Sequence, residues 1–366
     1  MRKIGLFGGS FDPIHNAHIE VAKIALKQLA LDEIQLIPTL NNPWKDKNCV
    51  SAHDRINMIQ LAISDQSSIT INTIELESQS QEKNYTIDTI TKLKKKHPDY
   101  EYFYIMGMDQ ANAFHKWKEA KKISQMVQLV AFQRGGYTVD LKMIEEYHFI
   151  ILNNPPVFAS SSEVRSGHIE MLDKKVLEYI TSKGLYLETI VFSRMSKKRW
   201  LHTCSVAKLA SQIAMANQLD EKKAYIAGML HDIAKEMDYE ESLALMKRFY
   251  PQYVHKPVAI WHQWLSSYVS ENEFLVKDKE ILKAIEDHTT ASITISPIGK
   301  CVYVADKLDP LRGYDSSNQI KKCKKNIHEG FKDELIHFYQ FSKKKERNID
   351  DCFYEIYDYF IGKGEK

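Results

Sequence analysis

The sequence predicts an α/β fold, a doubly wound and mostly parallel sheet, followed by an all-α domain. Three observations predict it. Short apolar runs alternate with amphipathic helical stretches through the first half of the chain, the pattern of βαβ units whose crossover helices cover both faces of a sheet. Paired glycines, Gly8 and Gly9, close the first apolar run, where a ligand-binding turn of such a sheet belongs. After Tyr186 strand-like runs vanish and helical periodicity continues to the C-terminus.

Taken in order, residues 4–7 read as the first strand, 18–31 as a helix and 34–38 as the second strand. A helix over 52–64, a strand over 69–74, a helix after Tyr85 and a strand over 101–106 follow. Strands at 127–132 and 149–152 complete the sheet. The change of pattern sets a boundary at 187–196, giving domains 1–188 and 194–366. A chain of 366 residues exceeds what one hydrophobic core ordinarily covers.

Lys and Arg total 50 against 48 Asp and Glu. This near-balance gives no electrostatic reason to expect nucleic acid or a membrane surface as partner, and it leaves the oligomeric state open. Five cysteines, at 49, 204, 301, 323 and 352, form no CxxC pair and are odd in number, which points to a reducing, cytoplasmic compartment. The N-terminus, MRKIGLFGGSFDP, turns polar too early for a secretory signal, and no run is long enough to span a bilayer. The lysine-rich stretches 321–325 and 343–347 read as solvated faces.

The segment GGSFDPIHNAH, Gly8 to His18, spans the junction of the first strand and the first helix. Gly8, Gly9, Ser10 and Phe11 would let the backbone approach a phosphate, and the helix presents unpaired N–H groups to an anion. His15 and His18, three apart at the first turn, share one side and can donate hydrogen bonds to a nucleoside triphosphate. Neither needs to be a base, because nucleotidyl transfer rests on positioning and charge neutralisation. Further on, Ser160, Ser161 and Ser162 precede a helix and supply hydroxyls and N–H groups, with Arg165 as a fixed charge. Simple helix capping is the competing reading of both segments.

GGSFDPIHNAH resembles the GGxFDPxHxGH signature of the nucleotidyltransferases that include nicotinate-nucleotide adenylyltransferase. The resemblance covers most of residues 2–188 and continues, in order, through Asp54-Arg55, Asn84-Tyr85-Thr86-Ile87-Asp88-Thr89, Ile105-Met106-Gly107-Met108-Asp109, Trp117 and Ser160-Ser161-Ser162-Glu163-Val164-Arg165. It implies a Rossmann-like nucleotidyltransferase that transfers AMP from ATP, with Mg2+ on the phosphates, to nicotinate mononucleotide. It also implies that Gly8 to Phe11, His15, His18, Ser160 to Ser162 and Arg165 hold ATP, with His15, His18, Lys45 and Arg165 acting in catalysis. Tyr85, Thr86 and Trp117 would then surround the pyridine ring, Asp109 would contact ribose hydroxyls, and Gly107 and Arg134 would complete the mononucleotide site. Two departures stand out. The signature's last glycine is Ala17, and the family's PxxHK-like element reads Asn42-Pro43-Trp44-Lys45, keeping the lysine and replacing a histidine. Trp44 covers either the adenine or the pyridine, and nicotinamide mononucleotide is the alternative acceptor.

In the helical half, His202 shares a stripe with Val206, Leu209 and Ile213, while His231-Asp232 end the apolar run 224–230. His262 lies on a helix that Pro257 can start, His288 continues a stripe of Ile281, Ala284 and Ile285, and Asp306 lies one turn after Val302. One buried histidine is commonly a satisfied core residue. Six ligand-type side chains on apolar faces suit zinc, iron or manganese, and two metals sharing one carboxylate. The order H…HD…H…H…D, with AGMLHDIAK, Asp287-His288-Thr289 and Val304-Ala305-Asp306, resembles the HD-domain hydrolases over about 195–340. The branch it resembles is the symmetrical diadenosine tetraphosphatases. It implies that His202, His231, Asp232 and Asp306 bind one metal, that His262 and His288 with a bridging Asp232 bind the second, and that Lys235 steadies a substrate phosphate. Gln263 stands where that branch has glycine, and a nucleotide-sensing module without turnover, or another phosphoester as substrate, is the alternative.

Overall fold

The structure, a computed structural model, describes residues 1–39, 50–76, 85–345, 349 and 351–362. It divides into two compact units, Met1–Val176 and Leu177–Lys366.

In the first unit, β1 (Lys3–Gly9), α1 (Asn16–Gln28), β2 (Glu33–Pro38), α2 (Ala52–Ala62), β3 (Ile69–Ile71), α3 (Thr86–Lys96) and β4 (Glu101–Gly107) alternate along the chain. Then come α4 (Met108–Asn112), α5 (Ala120–Met126), β5 (Gln128–Phe132), α6 (Leu141–Glu146), β6 (Ile150–Ile151) and α7 (Ser161–Arg165). The strands form one sheet in the order β3-β2-β1-β4-β5-β6, with every pair parallel. This is the expected doubly wound sheet. Ile4 and Leu6 of β1, Tyr102 and Tyr104 of β4 and Leu129 of β5 share a buried cluster with Ile87, Ile90 and Leu93 of α3. Helices on the sheet faces explain why these strands are near-continuous apolar runs rather than alternating ones.

Boundaries shift where side chains take over backbone groups. The first helix begins at Asn16 rather than 18, because His15, extended at φ −140° and ψ 167°, is its N-cap. The third strand stops at Ile71 rather than 74, because Asn72 Oδ1 accepts the Ile74 N–H at 3.1 Å and starts a turn.

The division between units falls inside α8 (Lys174–Lys183). The second unit continues with α9 (Leu187–Phe192), α10 (Lys197–Ala216), α11 (Glu221–Leu230), α12 (Tyr239–Phe249), α13 (Val258–Asn272), α14 (Lys279–Asp287) and α15 (Pro297–Lys307). After them come α16 (Ser317–Lys325), α17 (Ile327–Lys344) and α18 (Asp351–Ile361), with no strand among the described residues. Helix α9 packs on α10 and α11 and so belongs with this unit. Four of the helices that build the core carry a side-chain cap at their first turn, from Ser196, Asp220, Asp278 and Ser296. Val206, Leu209 and Ile213 of α10 and Ala224 and Ala227 of α11 are buried. A methyl on Gly228 would lie 2.6 Å from the Ala207 Cα, so α10 and α11 touch backbone to backbone. No described helix is long and apolar enough to cross a membrane.

Candidate active sites

The order of the first sheet reverses between β1 and β4, and ligands of open α/β sheets bind in the crevice at such a switch, beyond the strands' carboxyl ends. A cavity of about 740 Å³ opens there. Gly8, Gly9, Ser10, Phe11, His15 and His18 line it from the β1–α1 side. From α3, β4 and the segments that follow come Tyr85, Thr86, Gly107, Asp109, Trp117 and Arg134, and Ser160, Ser161 and Ser162 close it. Lys45, with Asn42, Pro43, Trp44 and Asn84, lies outside the described residues. Arg165 does not line the cavity: its guanidinium donates to the Asp12 carbonyl and, at 3.2 Å, to Ser162 Oγ.

A methyl on Gly8 would meet the Tyr104 hydroxyl at 2.7 Å, so the buried ring would have to shift to admit one. Buried Arg55, from α2, donates to the Ser10 carbonyl at 2.7 Å and clamps the loop from beneath. His18 Nδ1 accepts the His15 N–H at 3.2 Å, so a neutral His18 carries its proton on Nε2, where it can donate to a ligand. The two imidazoles lie 3.7 Å apart, centroid to centroid. Burial, helped by the Arg134 charge, pushes His15 down to about 4, and its Nδ1 is buried with no hydrogen-bond partner. Both histidines are therefore placed as neutral donors or acceptors.

On the opposite wall, Asp109 pairs with Arg134 at 2.9 Å through Oδ2, leaving Oδ1 buried without a partner. Trp117 stands edge-on to Tyr104 at 5.9 Å, and Lys118 lies 4.3 Å over the Tyr85 ring. Sequence reasoning missed Glu75, which also lines the cavity, accepts from Thr89 Oγ1 at 2.8 Å and is pushed up to about 7 by burial. The only signal for it was a lone carboxylate between Ile74 and Leu76.

In the second unit the six ligand-type residues converge from α10, α11, α13, α14 and α15. His231 and His288 follow the same local rule: each is the C-cap of an apolar helix. Each donates from Nδ1 to the carbonyl three residues back, Gly228 at 2.7 Å and Ile285 at 2.6 Å, in the last turn of its helix. That leaves Nε2 of each as an acceptor: His231's has no partner, and His288's lies 2.9 Å from Thr289 Oγ1 and 3.1 Å from His262 Nε2. Asp232 sits between two groups of imidazoles. Its Oδ2 is 3.5 Å from His231 Nε2 and 4.0 Å from His202 Nε2, and its Oδ1 is 3.4 Å from His262 Nε2 and 3.6 Å from His288 Nε2. His202 Nε2 also meets Asp306 at 3.1 Å. Two triads, His202–His231–Asp232 and Asp232–His262–His288, each bring their ligand atoms within 4.8 Å of one another. His231 Nε2, fully buried, has no hydrogen-bond partner. An orphaned lone pair facing a carboxylate fits a divalent metal, and the HD domain implies one.

Burial pushes His231 down to about 4 and His262 to about 2, holding both neutral as ligands must be. Burial opposes ionisation of Asp232 and Asp306, yet the imidazoles around the first and Lys307 with His202 beside the second hold both well below the usual carboxylate range. Four cations, which sequence reasoning reduced to Lys235, ring these groups. Arg199 reaches Asp232 at 2.7 Å, Arg312 and Lys307 reach Asp306 at 2.6 and 3.0 Å, and the Lys235 ammonium meets His262 Nδ1 at 3.0 Å. The Gln263 carboxamide accepts from Thr290 Oγ1 at 3.1 Å, tying α13 to the loop after His288.

A cytidylyltransferase-like family model matches residues 6–167 and an HD-domain model matches 199–311. A Mycoplasma genitalium protein described as a probable nicotinate-nucleotide adenylyltransferase/Ap4A hydrolase is 30% identical over 338 residues, 90% of this chain and 96% of that protein. A Streptococcus pyogenes protein described as a probable nicotinate-nucleotide adenylyltransferase is 37% identical over 192 residues, 50% of this chain and 89% of its own length. Among solved structures, a Clostridium acetobutylicum protein described as a predicted HD superfamily hydrolase involved in NAD metabolism aligns with 48% of this chain and 95% of its own, at 22% identity and a TM-score of 0.44.

Proposed function

The chain belongs to the family of two-domain nicotinate-nucleotide adenylyltransferase/Ap4A hydrolases, and from that footing we propose that it carries both reactions. The first unit, Met1–Val176, transfers AMP from ATP to nicotinate mononucleotide, and the second, Leu177–Lys366, hydrolyses diadenosine tetraphosphate to ADP. The single observation that carries this reading is the presence of two separately built polar sites, one in each unit.

In the first, a phosphate oxygen of the mononucleotide attacks the α-phosphorus of ATP. The new P–O bond forms as the bond to the β-phosphate bridging oxygen breaks, and pyrophosphate leaves. The Gly8–Gly9 backbone and the hydroxyls of Ser160, Ser161 and Ser162 bind the triphosphate, and Mg2+ neutralises part of its charge. His18, as an Nε2–H donor, and His15 stabilise charge as it develops on the phosphates. Lys45 adds a cation. Arg165 supports the Asp12 carbonyl and so positions the loop. Tyr85, Thr86 and Trp117 hold the pyridine ring, the Asp109 Oδ1 acceptor takes a ribose hydroxyl, and Arg134 and Gly107 complete that wall.

In the second, His202, His231, Asp232 and Asp306 would hold one divalent transition metal, iron, manganese or zinc, and Asp232, His262 and His288 another. Bound there, such metals supply Lewis-acid activation of water and neutralisation of phosphate charge. Arg199, Lys235, Lys307 and Arg312 provide positive charge around the site for a polyphosphate. The odd number of cysteines with no CxxC pair supports a reducing, cytoplasmic setting.

The test is product analysis. With ATP and Mg2+, nicotinate mononucleotide should give dinucleotide and pyrophosphate faster than nicotinamide mononucleotide does. With Mn2+, diadenosine tetraphosphate should give ADP alone. ATP plus AMP as products would contradict the symmetrical assignment, and no dinucleotide from either acceptor would contradict the transferase.

A further inference from the structure

The four imidazoles around Asp232 differ in what holds the nitrogen that faces away from it. His231 and His288 each place Nδ1 on a backbone carbonyl, and His262 Nδ1 faces the Lys235 ammonium. His202 alone turns its far nitrogen to a carboxylate: Nδ1 lies 2.6 Å from Asp309 Oδ2.

Asp309 is fully buried. Its other oxygen, Oδ1, accepts from Ser205 Oγ at 2.5 Å and from the Leu311 N–H at 3.1 Å. Ser205 lies one turn beyond His202 on α10, so two side chains of one helix bracket the carboxylate. An ionised carboxylate can only accept, so Nδ1 of His202 must carry a proton. Nε2 lies on the side of Asp306 and Asp232, 3.1 and 4.0 Å away, and donates to Asp306 Oδ1; it is this proton, not the one on Nδ1, that a bound cation would displace. Burying a carboxylate beside an imidazole gives little net stability compared with well-packed apolar residues. A bound cation on the far nitrogen is what would make the arrangement favourable.

We propose that Asp309 is a positioning residue of the hydrolytic site, fixing His202 in its Nδ1–H form so that Nε2 is presented to the metal position shared with His231, Asp232 and Asp306. The inference rests on the two-metal reading of this unit. A carboxylate behind a ligating histidine orients the ring and strengthens it as a donor, and losing one weakens metal binding by about 10- to 100-fold.

The test uses the full chain and Asp309→Asn, which keeps size and shape. The Asn oxygen stays with Ser205 and the Leu311 N–H, so its NH2 faces His202 and drives the imidazole proton to Nε2, the form that cannot ligate there. Zn2+ binding is measured by competition with a chromophoric chelator. The unaltered chain should take up two ions, and D309N should hold one of them about 10- to 100-fold more weakly with the other unchanged. Ser205→Ala, which leaves Oδ2 on His202, should keep both. Long-range 1H–15N correlation spectra of the Zn2+-loaded unaltered chain provide a readout that does not depend on the variant folding: His202 should show a protonated Nδ1 and a metal-bound Nε2. A protonated Nε2, or wild-type affinity for both ions in a folded D309N, overturns the role of Asp309 alone. Failure of the unaltered chain to bind Zn2+ overturns the two-metal reading, and this inference with it.

Discussion

At the scale of single residues, the first site depends on neutral imidazoles held by geometry. His18 is oriented by the backbone N–H of His15, which its Nδ1 accepts, and lines the cavity. Removing a donor that acts on developing charge costs about 10²- to 10³-fold in kcat. His18→Ala should therefore lower kcat of the transferase by that factor with little change in KM, as measured by steady-state dinucleotide formation. Glu75 carries a separate prediction about stability. Burial lifts its carboxyl from an ordinary 4.5 to about 7, so between those values the folded chain binds a proton that the unfolded chain has lost. Stability from this group is full below pH 4.5 and falls as pH rises towards 7, by about 3 kcal/mol at most for such a shift. Glu75→Gln removes the titration. Thermal unfolding of the two proteins at pH 5 and pH 8 should show E75Q gaining relative to the parent at the higher pH, and an unchanged difference would contradict it.

At the scale of elements, both sites sit where helices or strands end. The cavity opens at the carboxyl ends of β1 and β4, and two histidines of the second site occupy helix C-caps. Much of this was legible, because apolar periodicity, the Gly8-Gly9 turn and the capping residues are local signals. Strand and helix limits were less so. Asn72 ended β3 early and His15 began α1 early, through hydrogen bonds that periodicity does not encode. The contact of α10 with α11 yields a prediction at this scale. Gly228→Ala would bring a methyl to 2.6 Å from the Ala207 Cα. The helices must separate, at about 1–3 kcal/mol. Because α10 carries His202 and α11 leads into His231, G228A should lower both the melting temperature and metal affinity, checked by calorimetry and Zn2+ titration.

At the scale of the whole molecule, two chemistries share a chain without sharing a unit. The six ligand-type residues were legible as a set because each interrupts an apolar stripe where a charged or polar side chain needs a partner. Their partners were not. Asp309 reaches His202 and Arg199 reaches Asp232 only through tertiary packing, and Arg55 and Glu75 reach the first cavity the same way, whereas Lys307 and Arg312 are sequence neighbours of Asp306. Nothing in the spacing of Asp309, Arg199, Arg55 or Glu75 announces it. If two independent active sites operate in one protein, inactivating each in turn must leave the other working. Dinucleotide synthesis and diadenosine tetraphosphate hydrolysis are measured side by side on the unaltered chain, His18→Ala and Asp232→Ala. H18A should lose only synthesis and D232A only hydrolysis. Loss of both activities in either folded variant would contradict it.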